Sequence, residues 1–204
     1  MKNVTMNFNN YLQLINVTYS QCISMLKEKY GSVNGNYFLT DSCKSPNKKI
    51  KRTSDGLVLH HDQEIILEQL SDSAVAVKHP FELQYGENLT YANVIEHLIL
   101  HYLIYKETNG KLSKRGIAHI IVSINGLYEE AENLKGYRQN WYKQIKDDFS
   151  FYISFLVNNI KPIFLDKLRV LYMIDCRNPF EIGLKIKNAI IEYEKINILE
   201  ARSE

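Results

Sequence analysis

Two pairs of histidines constrain this chain more than any other feature of its sequence. His60 and His61 are adjacent and follow the short apolar run LVL (57–59), which predicts a strand. His97 and His101 lie four positions apart in a stretch with helical apolar periodicity. In a helix, residues four apart lie on one face, one turn from each other, so both imidazoles can reach one ligand. A fold that joins this strand to this helix would collect several imidazoles at one point.

The adjacent histidines are expected to have different roles. Neighbouring side chains of an extended strand point to opposite sides, so one ion is not expected to bind both His60 and His61. One of them would bind the ion and the other would face a substrate. Glu64 and Glu96 lie nearby in the sequence, and either is a candidate to orient a ligand histidine through a hydrogen bond. The HExxH pattern of zinc proteases is absent, because Glu96 precedes the helical histidines.

Three short segments together resemble a known family. LHHD (59–62), ENL (87–89) and EHLILH (96–101) resemble the HNH, or His-Me finger, endonucleases, and most closely the nuclease domains of bacterial DNase colicins. In that family a His-His pair ends the first strand, an asparagine lies in the loop, and two histidines four residues apart lie on the helix. Asn88 precedes His97 by nine residues, as in that pattern.

The resemblance implies a role for each of these residues. His60, His97 and His101 would be ligands of one divalent metal ion, His61 the general base, and Asn88 the residue that braces the loop holding His61. It also implies a ββα-metal core. Two departures are visible in the sequence: the interval from the His pair to the asparagine is longer than in compact members, and the cysteine pairs of a structural zinc site are missing.

The chemistry of phosphodiester hydrolysis is consistent with these residue types. The reaction needs a base for the attacking water and positive charge against the phosphate and the leaving oxygen. A neutral histidine is a suitable base near neutral pH. Imidazole ligands favour Zn, Ni, Co or Mn over Mg, and the sequence leaves the identity of the ion open among these five.

Local basic clusters are the candidate nucleic-acid contacts. The formal net charge is only +2, so any basic surface must be local. One cluster precedes the adjacent histidines and the other follows the histidine helix; their members are Lys48, Lys49, Lys51 and Arg52, and Lys114 and Arg115. Both are predicted to contact phosphates, with a solvated loop as the alternative for the first. His79 and His119 have no partner at ligand spacing and are predicted to be structural.

The periodicity predicts a mainly helical α+β protein, and the resemblance implies that a ββα-metal core is embedded in it. The predicted units are an N-terminal helix within 1–35, the core at 36–110 and a helical region at 111–204. The predicted elements before the histidine helix are a helix at 9–30, a short strand at 36–40, a strand at 57–59 with 65–67 as its candidate hairpin partner, and a loop or helical turn at 71–80. The histidine helix is predicted to be capped by Asn88 or Thr90. Helices follow at 116–134, 138–160, 162–174 and 179–201, with a strand as the alternative for the apolar-rich segment 162–174.

Composition sets the broad class. Hydrophobic residues make up 45% of the chain and charged residues 24%, as in globular proteins. Cys22, Cys43 and Cys176 are widely spaced without a CxxC pair, so we expect buried apolar thiols rather than disulfides or a thiolate zinc site. No apolar run approaches the roughly 18 residues of a membrane span, and no secretory leader is visible, so a cytoplasmic protein without a membrane partner is expected.

The resemblance, with the residue types of the candidate site, implies a metal-dependent HNH-type endonuclease acting on DNA. By analogy, a phage, mobile-element or defence setting is expected. Two alternatives remain open: a non-catalytic module in which a metal stabilises a nucleic-acid-binding or protein-binding fold, and a nuclease of the same fold that acts on RNA. A homodimer formed through the N-terminal helix is also open.

Overall fold

The computed structural model describes residues 10–173 and 183–201, with side chains for 10–173 and 183–198. This part of the chain is mainly helical with one antiparallel pair of strands, which confirms the predicted α+β class. The helices are α1 (Tyr19–Tyr30), α2 (Ser73–Ala76), α3 (Val94–Glu107), α4 (Lys114–Glu129), α5 (Tyr137–Ile145), α6 (Phe149–Phe155) and α7 (Leu184–Ala201), and the strands are β1 (Val58–His61) and β2 (Leu89–Ala92).

The N-terminal helical segment is interrupted, whereas one continuous helix over 9–30 was predicted. Residues 10–15 are helical, and α1 starts afresh after Thr18. The Thr18 side chain accepts from the backbone N–H of Gln21, and the Gln21 side chain accepts from the backbone N–H of Thr18. This reciprocal capping box stabilises a new helix start. Of the apolar residues that indicated the helix, Cys22 and Leu26 are buried, whereas Leu12 is 41% exposed.

Strand β1 pairs with β2, so the candidate hairpin partner at 65–67 was wrong. The register places His60 opposite Thr90 and His61 opposite Leu89. Residues 62–88 form a long insertion between the two strands. All four residues of β2 are buried, so their backbone groups need the partner strand to satisfy their hydrogen bonds.

Two further predictions around the strands need correction. The segment 36–40 forms no strand; it makes an isolated bridge between Phe38 and Pro46. Neither Asn88 nor Thr90 caps the histidine helix, because Leu89–Ala92 is strand. The predicted helical turn within 71–80 is confirmed by α2.

Helix α3 is the central element of the fold. Asn93 caps it: its side-chain oxygen accepts from the backbone N–H groups of Ile95 and Glu96. Most of its residues are buried on every side, as expected for a helix surrounded by other elements. Both α1 and α4 pack against it. The helix that carries His97 and His101 is thus held from several directions.

The C-terminal region follows the predicted pattern in part. The predicted helices at 116–134, 138–160 and 179–201 correspond to α4, to α5 with α6, and to α7. Neither the helix predicted at 162–174 nor its strand alternative forms over 162–173. The chain makes short 3-10 turns at Lys161–Phe164 and Leu168–Tyr172, after a π-helical turn at Leu156–Ile160. Residues 174 and 179–182, and the predicted break at Asn178-Pro179, lie outside the described residues.

One apolar core joins the predicted units. It contains Tyr11 and Leu26 from the N-terminal part, Leu98 from α3 and Ile121 from α4, and it extends to Ile190 in α7. The N-terminal helix therefore packs on the core as predicted. A second, smaller cluster beneath the strands contains Val33, Ile50, Leu57, Leu89 and Tyr91.

The cysteines and the length of the helices bear on two further predictions. Cys22 and Cys43 are buried free thiols, as predicted, while Cys176 lies outside the described residues. Within the described ranges, none of the helices combines the length and apolar character that crossing a bilayer requires.

Candidate metal centre

The strand pair and α3 bring three histidines together. His60 lies near the end of β1, and α3 starts one residue after β2, so the helix face with His97 and His101 faces the strand. The ring centroid of His60 lies 5.2 Å from that of His97 and 5.1 Å from that of His101. The ring centroids of the two helical histidines are 4.8 Å apart. Their candidate ligand nitrogens all lie within 4.8 Å of one another. This group could hold a metal ion.

Hydrogen bonding identifies the free nitrogen of His60. The Tyr19 hydroxyl lies 2.7 Å from Nε2 of His60 and donates to the carbonyl oxygen of Asp62 at 3.0 Å. Since a hydroxyl has one proton, Nε2 of His60 then donates to the Tyr19 oxygen, and Nδ1 keeps its lone pair. Nδ1 is buried and has no hydrogen-bond partner among the described residues. Leaving such an atom unpaired costs about 1–3 kcal/mol, which a bound cation would offset.

The two helical histidines approach each other through the same nitrogen atom. Nε2 of His97 and Nε2 of His101 are 3.2 Å apart, and Nδ1 of His101 lies 2.5 Å from the Ser113 hydroxyl. A neutral His101 that donates from Nδ1 to Ser113 keeps its Nε2 lone pair directed toward His97. With Nε2 of His97 protonated, this contact is an ordinary N–H···N hydrogen bond; with both nitrogens unprotonated, the two lone pairs repel each other unless a cation lies between them. The residues present therefore fit a metal ion bound by three imidazole nitrogens.

Ser113 is itself held in place. Its backbone N–H donates to the carboxylate of Glu68, and its own φ of 73° lies in the left-handed region. Next to it, Gly116 allows α4 to approach closely: a Cβ there would lie 2.6 Å from Nδ1 of His101. Glu68 thus holds Ser113 in place through a hydrogen bond, and Ser113 in turn orients the imidazole of His101.

Burial keeps the three imidazoles neutral. Burial, with the neighbouring His101 and His97, holds the pKa of His60 well below its ordinary value. The pKa of His101 is lowered in the same way by burial and by His97. Burial, with His119 and His61, lowers the pKa of His97 to about 4. Neutral imidazoles are the form that binds metal, so the group does not need to lose protons near neutral pH.

His61 lies on the other side of β1, as the alternation of a strand predicts. Its Nε2 lies 2.9 Å from Oε1 of Gln84, and its ring packs at 4.5 Å from that of Tyr37. The amide nitrogen of Gln84 donates to the carbonyl of Leu70, so its oxygen faces His61 and must accept. Nδ1 of His61 is therefore the unprotonated nitrogen. Burial lowers the pKa of His61 to about 4, against the opposing effect of the bond to Gln84.

Asn88 does not bond to His61 itself. Its side-chain nitrogen donates to the backbone carbonyl of Glu82 at 2.8 Å, which closes the loop 82–88. That loop carries Gln84, the partner of His61. The link between the asparagine and the predicted base thus runs through Gln84.

Glu64 is the glutamate that lies beside the histidines. Oε2 of Glu64 lies 3.5 Å from Nε2 of His101. Burial and the neighbouring charge of Glu68 raise the pKa of Glu64 to about 7, against a lowering effect of the backbone N–H of Leu70.

Glu96 caps α3 instead of orienting a histidine, which corrects the prediction for this residue. Its carboxylate accepts from the backbone N–H of Asn93, from Lys29 and from Tyr30. These contacts lie at the helix start, where a negative charge also complements the helix dipole.

The histidines face a cavity of about 650 Å³. His60, His61, His97 and His101 line one part of it, and Arg115 and His119 line the α4 side. Arg115 and His119 are exposed and four residues apart, hence on the same face of α4. His119, predicted to be structural, thus belongs to the cavity wall. His79 does not line the cavity.

The remaining basic residues lie elsewhere. Lys48, Lys49 and Lys51 are exposed and do not line the cavity. Arg52 donates to Asp55 and to the backbone carbonyl of Tyr30. Lys114 lies 3.8 Å from Asp166. Of the predicted basic contacts, Arg115 is the one that the fold places at the histidine cavity.

Sequence reasoning missed the residues that orient the histidines. Tyr19 is one of fourteen tyrosines, and no local pattern distinguishes it. Ser113 precedes α4 and looks like an ordinary helix cap, yet its side chain makes no capping bond and contacts His101. Gln84 lies in the insertion, where no motif could be recognised. These three residues act through contacts between distant parts of the chain.

We expect Ser113→Ala to weaken metal binding about 10–100-fold, because His101 loses the group that fixes its ring and its proton. The dissociation constant for Zn²⁺ can be measured by competition with a chromophoric chelator. Ser71→Ala is a matched control, since Ser71 lines the same cavity without bonding to a histidine. Equal affinity in the wild type and the Ser113 variant would contradict this role.

Comparison with models of known families, with curated proteins and with solved structures finds no match for this chain.

Proposed function

We propose that this chain is a metal-dependent endonuclease that hydrolyses DNA phosphodiester bonds, built on a ββα-metal core of the His-Me finger (HNH) kind within residues 36–110. One observation carries the proposal. Nδ1 of His60 is buried and has no hydrogen-bond partner among the described residues, and His60, His97 and His101 offer ligand atoms within 4.8 Å of one another in a cavity that His61 also lines.

The order of the elements supports this proposal. An antiparallel strand pair is followed directly by a helix, with the adjacent histidines ending the first strand and the other two on the helix. This is the order that the resemblance to HNH endonucleases implies. The long insertion lies between β1 and β2 in the sequence, and it changes neither the order of β1, β2 and α3 nor the pairing of the two strands.

The residues of the site have separate roles in the proposed reaction. A divalent ion bound by His60, His97 and His101 would supply positive charge to the scissile phosphate and the leaving oxygen. His61 accepts the proton of the attacking water at Nδ1. Gln84 holds the proton of His61 on Nε2 and so keeps Nδ1 available.

The cavity wall on α4 suits a phosphodiester. Arg115 forms no ion pair within the described ranges and lines the same cavity as the histidines. A guanidinium is well shaped to bind two phosphate oxygens at once. Arg115 therefore binds and orients the phosphate, while the exposed lysines at 48, 49 and 51 lie outside the cavity and would contact the backbone farther along the polymer.

The proposal is tested by cleavage of supercoiled plasmid. We expect cleavage with one or more of Mn²⁺, Mg²⁺, Co²⁺, Ni²⁺ and Zn²⁺, loss of cleavage with EDTA, and recovery when the ion is restored. A single-stranded RNA and a DNA of matched sequence, assayed together, distinguish the two polymers. If the protein binds metal but cuts neither polymer, the nuclease proposal is wrong and the site is a structural centre of a binding module.

A further inference from the structure

Glu64 lies directly beside the three histidines. It belongs to the 3-10 turn Asp62–Ile65, which directly follows β1, so it lies four residues after His60 in the sequence. Its side chain is mostly buried and lines the cavity. Its Oε2 is 3.5 Å from Nε2 of His101, the same nitrogen that faces His97.

These distances match those between ligands of one ion. Nitrogen and oxygen ligands lie about 2.0–2.2 Å from a bound transition metal, so neighbouring ligand atoms at tetrahedral angles are about 3.3–3.6 Å apart. The separation between Nε2 of His97 and Nε2 of His101 is 3.2 Å, and that between Nε2 of His101 and Oε2 of Glu64 is 3.5 Å. One ion could contact all three atoms after small shifts.

The negative charges of Glu64 and Glu68 also favour a bound cation. Glu64 is close enough to Glu68 for the two carboxylates to repel each other. No lysine or arginine in the described part of the chain forms an ion pair with Glu64. A buried carboxylate is costly unless it is paired or binds a metal.

The distance between Glu64 and His101 is also longer than that of a usual hydrogen bond. N–H···O hydrogen bonds have donor–acceptor distances of about 2.7–3.2 Å, whereas Oε2 of Glu64 and Nε2 of His101 are 3.5 Å apart. The separation is instead that of two ligands of one ion.

We propose that Glu64 is the fourth protein ligand of the metal ion, which makes the centre a three-histidine, one-carboxylate site. This inference rests on the proposed metal-dependent function. A fourth protein ligand fills a tetrahedral ion, so substrate can bind only to an ion that accepts five or six ligands. The site therefore favours Mn²⁺, Co²⁺ or Ni²⁺ for activity and binds Zn²⁺ tightly in a closed, poorly active form.

Metal affinity and coordination number in Glu64 variants test this assignment. We expect Glu64→Gln to weaken Mn²⁺ and Co²⁺ binding by more than about 10-fold, a loss at least as large as that for outer-shell residues. The visible spectrum of the Co²⁺ protein should change toward a lower coordination number. Glu64→Asp keeps the charge and shortens the reach, so it should also lose affinity. Glu82→Gln, at an exposed glutamate in the same insertion, is the matched control.

The outcomes separate this inference from the proposed function. If wild-type protein binds metal and cuts DNA, while both Glu64 variants keep its affinity and its Co²⁺ spectrum, Glu64 is not a ligand and the nuclease proposal stands. If wild-type protein binds no divalent ion, both proposals fail. Circular dichroism of each variant, matched to the wild type, ensures that a loss of affinity reports the site. A crystal of the Mn²⁺ protein with the carboxylate outside bonding distance of the anomalous peak would also overturn the assignment.

Discussion

Replacing His101 with alanine is expected to remove both metal binding and cleavage. The variant loses one of the three clustered imidazoles and with it one candidate ligand nitrogen. Outer-shell substitutions alone cost 10–100-fold in affinity, so the loss of a direct ligand should exceed about 100-fold. His97→Ala should behave in the same way. Metal content by elemental analysis and plasmid cleavage measure the two effects.

His79→Ala is the control for these ligand variants. His79 is half-buried like His97 but does not line the cavity, so its variant should keep both metal and activity. Metal content equal to the wild type in both the His97 and the His101 variants would show that these imidazoles do not share an ion. The nuclease proposal would then lose its main support.

Replacing His61 with alanine is expected to separate metal binding from catalysis. A positioned general base contributes about 10²–10⁴-fold to a rate, so cleavage should fall by this factor. Metal content should stay that of the wild type, because His61 projects from the opposite side of β1 and bonds to Gln84. Single-turnover assays with saturating Mn²⁺ measure the rate of cleavage, and elemental analysis measures the metal content.

The His61 variant also distinguishes an enzyme from a binding module. In a non-catalytic module, His61→Ala would change neither nucleic-acid binding nor metal content. A variant that cleaves at the wild-type rate would exclude His61 as the base. Gln84→Leu offers a milder form of the test, since it removes the group that fixes the proton of His61 while leaving the imidazole in place.

Parts of the fold were predictable because they depend on local periodicity. The apolar spacing in α3 and the short run before His60 identified the helix and strand that carry the histidines. The partner of β1 was not predictable, because the insertion 62–88 separates it from β2 and no turn motif marks the pairing. The same holds for 162–173, where apolar periodicity suggested a helix but the chain packs as short 3-10 turns.

The sequence by itself determined which residues could form a metal site: the alternation of a strand separated His60 from His61, and the helical repeat placed His97 and His101 on one face. Only the tertiary structure decided how these imidazoles are held. Tyr19 fixes the proton of His60 on Nε2, and the Ser113 hydroxyl forms a hydrogen bond with Nδ1 of His101. Such contacts join elements distant in sequence, and hydrogen-bond direction depends on where those elements meet rather than on any local pattern.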